Sequence, residues 1–131
     1  MAEGDLPAEV RQLIARCLAT MEQVDVLLLL ARTPERWFAV DEIRTELRLA
    51  DSALPPRTFR ELESAGLIAT ESHAASRYRY APATPVLRRA VELLAVAYNE
   101  RPVTLVRAIY SRPTAVQSFE DAFRLRKKDD N

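Results

Sequence analysis

Leu54-Pro55-Pro56-Arg57-Thr58-Phe59-Arg60-Glu61-Leu62-Glu63-Ser64-Ala65-Gly66-Leu67-Ile68 decides the fold of this chain. Pro55-Pro56 predicts a helix start, because the first turn leaves amide groups unused and proline has none to lose. Phe59 and Leu62 stand three apart and point to one side. Gly66 ends the helix, since glycine enters the left-handed conformation without steric cost. Beyond it, Leu67 to Glu71 and Arg77 to Tyr80 read as two strands of a hairpin, with Ser72 to Ser76 as its tip. Side chains alternate along a strand, so Tyr78 and Tyr80 share one face and Arg77 and Arg79 the other.

Upstream, Ala50 to Leu54 is a turn, which Asp51 or Ser52 rebuilds because Pro55 falls where a capping side chain is usual. Before it, Asp41 is expected to cap a helix on which Ile43 and Leu47 stand four apart. Trp37-Phe38-Ala39-Val40 is a short strand, with Trp37 expected in the core. The order is therefore strand, helix, turn, helix, hairpin.

The stretch from Leu54 to Ile68 resembles the recognition helix of winged helix-turn-helix regulators of the broad MarR and PadR kind. An apolar residue, Leu54, precedes the helix. Phe59 and Leu62 seat it, Glu63-Ser64-Ala65-Gly66-Leu67-Ile68 turns into the wing, and Ile43 and Leu47 match the apolar pair of the preceding helix. The resemblance covers about 45 of the 131 residues. It implies a mainly α fold with a small β hairpin, a winged helix-turn-helix with additional N- and C-terminal helices. It also implies sequence-specific binding of double-stranded DNA by a small dimeric transcriptional regulator.

The residue types fit that role independently. With Phe59 and Leu62 inward, the free face of the helix carries Pro56, Arg57, Arg60, Glu61 and Ser64. Thr58 lies near the N-terminus, where a hydroxyl and backbone amides can meet phosphate. Arg57 or Arg60 can pair with the O6/N7 edge of guanine in the major groove. Arg77 and Arg79 point outward from the wing, toward a flanking backbone or minor groove. The expected DNA-binding set is Pro56, Arg57, Thr58, Arg60, Ser64, Arg77 and Arg79. Each has a plainer alternative: Arg60 can pair with Glu63 or Ser64, Arg77 and Arg79 can be ordinary exposed strand residues, and His73 is a solvated tip residue. From Leu54 to Tyr80 there are four Arg against three Glu, so the face is mildly basic.

Toward the N-terminus, Asp5 and Pro7 open a first helix with Val10, Leu13, Ile14, Cys17 and Leu18 on one stripe. Thr20 and Gln23 form a capping box for a second helix, which reaches about Ala31 and ends before Thr33-Pro34. Its run Val26 to Ala31 predicts burial on several sides. After Pro82 and Pro85, Val86 to Tyr98 is helical and apolar nearly all round: Leu87, Ala90, Val91, Leu94 and Tyr98 line one side, Val86, Leu93 and Ala97 another. Pro102 opens a shorter helix with Leu105, Val106, Ile109 and Tyr110. A last helix after Pro113 carries Val116, Phe119 and Phe123, with Glu120 and Asp121 early and Arg124, Arg126, Lys127 and Lys128 late, in keeping with the helix dipole. The expected organisation is an N-terminal helix over 1–20, a winged domain over 21–82, and C-terminal helices over 83–131 with a partly flexible tail.

Hydrophobic residues make up 48% of the chain, enough for a sizeable core. Nineteen basic residues balance nineteen acidic ones, so a nucleic-acid role must rest on local charge. One cysteine permits no internal disulfide, Met1 to Leu6 is not a signal peptide, and the longest apolar run is too short for a membrane span, which together predict a cytoplasmic protein. One Cys, one His and two Gly offer neither a metal pattern nor a phosphate-cradling loop, so the sequence points to no metal, no cofactor and no enzyme. Cys17 reads as a small buried hydrophobe, with redox sensing as the alternative. The apolar faces of the terminal helices exceed the needs of one small core, which predicts a homodimer; the alternative is that they fold back on the winged domain. The seam between them could house a small effector. The competing functional reading is a winged-helix adaptor that binds a protein partner and no DNA.

Overall fold

The computed structural model describes residues 6–50, 54–72 and 76–111. The elements run α1 (Ala8–Cys17), α2 (Met21–Arg32), β1 (Phe38–Ala39), α3 (Val40–Leu47), α4 (Pro56–Ser64), β2 (Ile68–Ser72), β3 (Ser76–Tyr80), α5 (Pro85–Glu100) and α6 (Pro102–Ser111). The fold is a winged helix, mostly helical, with a three-stranded antiparallel sheet ordered β1-β3-β2. The expected Asp5 cap, the Asp51–Ser52 turn, the His73 tip and the helix after Pro113 lie outside the described residues.

Two groups of elements share one core. On one side α1, α5 and α6 pack together; on the other α2 packs against α3, α4 and β3. Val24, Val26, Leu27 and Leu30 of α2 are wholly buried and Leu29 nearly so, the several-sided burial its apolar run predicts. Thr20 caps it, its Oγ1 accepting from Gln23 N at 3.2 Å. The terminal helices do fold back within the chain: Val10, Leu13 and Ile14 join Ala90, Val91, Leu94, Leu105 and Ile109 in the same buried cluster. Their apolar surface is not used up. Val86, Val96, Val103, Val106 and Tyr110 remain exposed, so the second apolar side expected of α5 is covered only in part.

Near β1 the structure corrects the sequence in two places. Phe38 is the core residue and Trp37 is half-buried on the other face, because Phe38 pairs with Tyr78 and the strand's alternation fixes the rest. Helix α3 starts one residue before Asp41, with Ala39 at the cap position and no side-chain cap. The amide of Ala39 donates instead to Glu42 Oε1 at 2.8 Å, and that bond holds the Glu42 carboxyl below its usual pKa. Arg48 ends α3 in the left-handed region at φ 56°. Gly66 does the same after α4 at φ 80°. Its carbonyl accepts from Ala83 N at 2.8 Å, and Leu67 O accepts from Ala81 N at 3.0 Å, so the chain leaving the wing is tied to the strand entering it.

Candidate nucleic-acid interface

Helix α4 is held by one stripe and open on the other. Thr58, Phe59 and Leu62 are buried; Pro56, Arg57, Arg60, Glu61, Glu63 and Ser64 are exposed. The Phe59 ring stacks on Tyr78 of β3, with centroids 4.3 Å apart and planes at 14°, so the helix and the wing are locked together by an aromatic pair. Arg57 and Arg60 form no ion pair with another described residue, including Glu63. The structure therefore leaves four of the expected contact residues, Pro56, Arg57, Arg60 and Ser64, open to solvent on α4. Ser64 also borders a groove of about 460 Å³ between α1, α4 and α5.

Thr58 is the buried member of the expected set: the residue is 4% exposed, so little of its surface is open to a phosphate. The sequence misplaces it because Thr58 immediately precedes Phe59 and shares its buried side of the helix. The amide arm of that expectation weakens as well. Pro55 and Pro56 have no N–H, and Thr58 N already donates to Pro55 O at 2.9 Å, which thins the donor set of the N-terminus.

The wing arginines are both engaged. Arg77 lies directly opposite Glu71 in the β2–β3 register, and its Nη2 meets Glu71 Oε2 at 2.6 Å. The Arg79 guanidinium sits 4.7 Å from the Trp37 ring centre, a cation–π contact across the outer face of β1 and β3. Arg77 is exposed and Arg79 half-buried, so each has an intramolecular competitor for any phosphate.

Two features escape sequence reading. Gln23, 2% exposed, donates from Nε2 to Glu61 Oε1 at 2.7 Å and accepts at Oε1 from Ala19 N at 2.7 Å. Glu61, expected only to dilute the basic face, thus anchors α4 to α2. The capping-box signal finds Gln23, but its far end contacts a residue 38 positions away. The second feature is a cleft of about 1170 Å³ between α2, β3 and α5. At its wall Tyr98 OH donates to Asp25 Oδ1 at 2.7 Å. That bond pushes the Tyr98 phenol up to about 12, while burial raises the Asp25 carboxyl. Arg32, Arg88 and Glu92 also line the cleft, so the seam is mixed in polarity. Among the described residues no helix is long and apolar enough to cross a membrane, and no cluster of His, Cys, Asp or Glu could hold a metal.

Comparison with solved structures finds a similar fold in a transcriptional regulator of the MarR family from Silicibacter pomeroyi, at a TM-score of 0.50 and 15% sequence identity. The likeness covers 92% of this chain and 77% of that one, so it takes in the flanking helices as well as the winged part. No protein-family profile and no curated protein matches the sequence.

Proposed function

We propose that the chain binds duplex DNA as a two-fold dimer and acts as a transcriptional regulator, with α4 in the major groove and the β2–β3 wing on the flanking backbone. One observation carries this reading: the free side of α4 presents Arg57 and Arg60, exposed and without an ion-pair partner among the described residues, on a helix seated from behind by Phe59 and Leu62. A bidentate Arg–guanine contact is worth about 1–3 kcal/mol of discrimination. Pro56 and Ser64 border the same surface. The dimer is supported by Val103, Val106 and Tyr110, exposed at i, i+3 and i+7 of α6 and so on one stripe. A two-fold through such a stripe can place two α4 helices about 34–36 Å apart, one turn of DNA. A small effector of the regulator would be held in the cleft beside Asp25 and Tyr98.

The adaptor reading has its own support. Arg77 and Arg79 are committed to Glu71 and Trp37, and the chain's formal charge is zero. A salt series of duplex-binding anisotropy separates the two. If Arg57 and Arg60 of two protomers each displace a condensed counterion from the duplex, log affinity should fall with log salt at a slope of about −4; freeing both wing arginines for phosphate as well would take it to about −7. Arg57→Ala with Arg60→Ala should abolish sequence preference while the melting temperature holds. Absence of duplex binding at low salt leaves the adaptor reading standing.

A further inference from the structure

We propose that Gln23 is the positioning residue of α4: its buried carboxamide ties the α1–α2 corner to Glu61 and so fixes the rotation of the helix that aims Arg57 and Arg60. The inference rests on the DNA-binding reading for its consequence and on the following geometry for its substance. Gln23 and Thr58 are the buried polar residues of the described core. Both ends of the Gln23 side chain are used, Oε1 by Ala19 N and Nε2 by Glu61 Oε1, each at 2.7 Å. Its own amide is held by Thr20 Oγ1. Losing either bond leaves a buried amide or carbonyl unpaired, which is costly.

The apolar seat of α4 cannot supply this constraint alone. Burial of Phe59 and Leu62 is favourable but non-directional, and the Phe59–Tyr78 stack meets α4 on its wing side, so on the α2 side a roll about the helix axis is opposed by the Gln23–Glu61 bond. A hydrogen bond to a carboxylate is directional and short, and it resists the roll. The lever is large. Side-chain tips lie about 6 Å from a helix axis, so a roll of about 20° moves them about 2 Å. Recognition requires placement within about 0.5 Å. Glu61 lies four residues after Arg57 and one after Arg60, so the tie acts within about one turn of the groups it aims. The base of the tie is itself fixed. Met21 N, at the same end of α2, donates to the Tyr110 hydroxyl of α6 at 3.3 Å.

Two variants of the full chain that leave its net charge unchanged test the proposal. Gln23→Leu breaks both bonds with little change of volume. The exchange Gln23→Glu with Glu61→Gln rebuilds them, because the new carboxylate accepts from Ala19 N and from the Gln introduced on α4. Hydrogen exchange is measured without DNA. Binding is measured on a duplex selected by the unaltered protein from a randomised pool, against a shuffled duplex of equal length. Gln23→Leu should accelerate exchange of the α4 amides from 58 to 62 while α5 is unchanged. It should lower the selected-to-shuffled affinity ratio about tenfold with shuffled binding intact. The exchanged pair should restore both to within about twofold. Unaltered α4 exchange and an unaltered ratio in Gln23→Leu overturn the proposal. So does an exchanged pair as impaired as the single variant. If Gln23→Leu does not fold, Glu61→Ala breaks the same bond from its exposed end and is read by α4 exchange. Failure of the unaltered protein to bind any duplex sinks the DNA reading separately, and the exchange data still decide whether Gln23 holds α4.

Discussion

Glu71→Gln should tighten DNA binding, although it deletes an ion pair of the folded protein. Arg77 faces Glu71 across the β2–β3 ladder at 2.6 Å, with the arginine side chain 44% and the glutamate 22% exposed. To reach a phosphate, Arg77 must leave this carboxylate. Pairs at this level of exposure contribute about 0–1 kcal/mol, so the competition costs up to about fivefold in affinity per protomer. Glutamine keeps the shape and removes the charge. Stability should therefore fall by no more than about 1 kcal/mol. In a dimer two arginines are released. Each added phosphate contact steepens the salt slope by about 0.9, so the slope should move from about −4 to between −5 and −6. The assay is fluorescence anisotropy of a labelled duplex over roughly 50–200 mM salt, where counterion release dominates. Glu71→Gln combined with Arg77→Ala should return the slope to that of the unaltered protein. An unchanged slope and affinity in Glu71→Gln would refute the placement of the wing against the backbone.

Three further outcomes are expected, one from the fold and two from the cleft. Gly66→Ala should lower stability by about 1–2 kcal/mol, the usual cost of a side chain in the left-handed region, and the melting temperature by roughly 5 °C. The new Cβ would also sit 3.2 Å from Ala83 Cβ, so an unchanged melting temperature counts against the tight turn at φ 80°. The Tyr98 phenol, raised to about 12 by its bond to Asp25, contributes stability that is present below pH 10 and lost as pH rises toward about 12. Urea unfolding across that range should show the decline, and Tyr98→Phe should flatten it. The raised Asp25 carboxyl acts with the same sign at the acid end, favouring the fold below its ordinary value of 3.8 and losing that contribution as pH rises.

What the sequence revealed was what short-range spacing determines. Phe59, Leu62 and Gly66 declare a helix, its seat and its end within eight residues, and the alternation of Arg77 to Tyr80 declares a strand. Thr20 and Gln23 declare a cap because both partners lie within one turn. The errors fall where a distant partner sets the phase. Trp37 and Phe38 are equally apolar neighbours, and only the pairing of Phe38 with Tyr78, forty residues on, decides which of them enters the core. Thr58 looks like a phosphate ligand from its place in the helix, and its burial beside Phe59 is a property of the packed core. The commitments of Arg77 to Glu71, Arg79 to Trp37 and Gln23 to Glu61 cross between elements. Charge and exposure patterns along the chain cannot register such pairs.

These commitments also bear on how a chain of zero net charge could bind DNA. A binder that neutralises eight phosphates loses roughly 2 × 10⁴-fold in affinity between 50 and 200 mM salt, whereas one with four contacts loses only about 150-fold. On the proposed reading, a dimer whose Arg77 and Arg79 are held by Glu71 and Trp37, and which contacts DNA through Arg57 and Arg60, is of the second kind. Weak non-specific binding is then an expected property and no argument against recognition. On the same reading, discrimination comes from Arg57 and Arg60. At about 1–3 kcal/mol each, two of them give a monomer about 2–6 kcal/mol, which reaches only the lower part of the roughly 4–10 kcal/mol that separates specific from non-specific sites. Four give about 4–12 kcal/mol, which spans that range. On the proposed reading, therefore, the exposed Val103, Val106 and Tyr110 stripe matters to recognition as much as α4 does. Pairing two copies would double the Arg57 and Arg60 contacts and carry the discrimination of a neutral chain across that whole range.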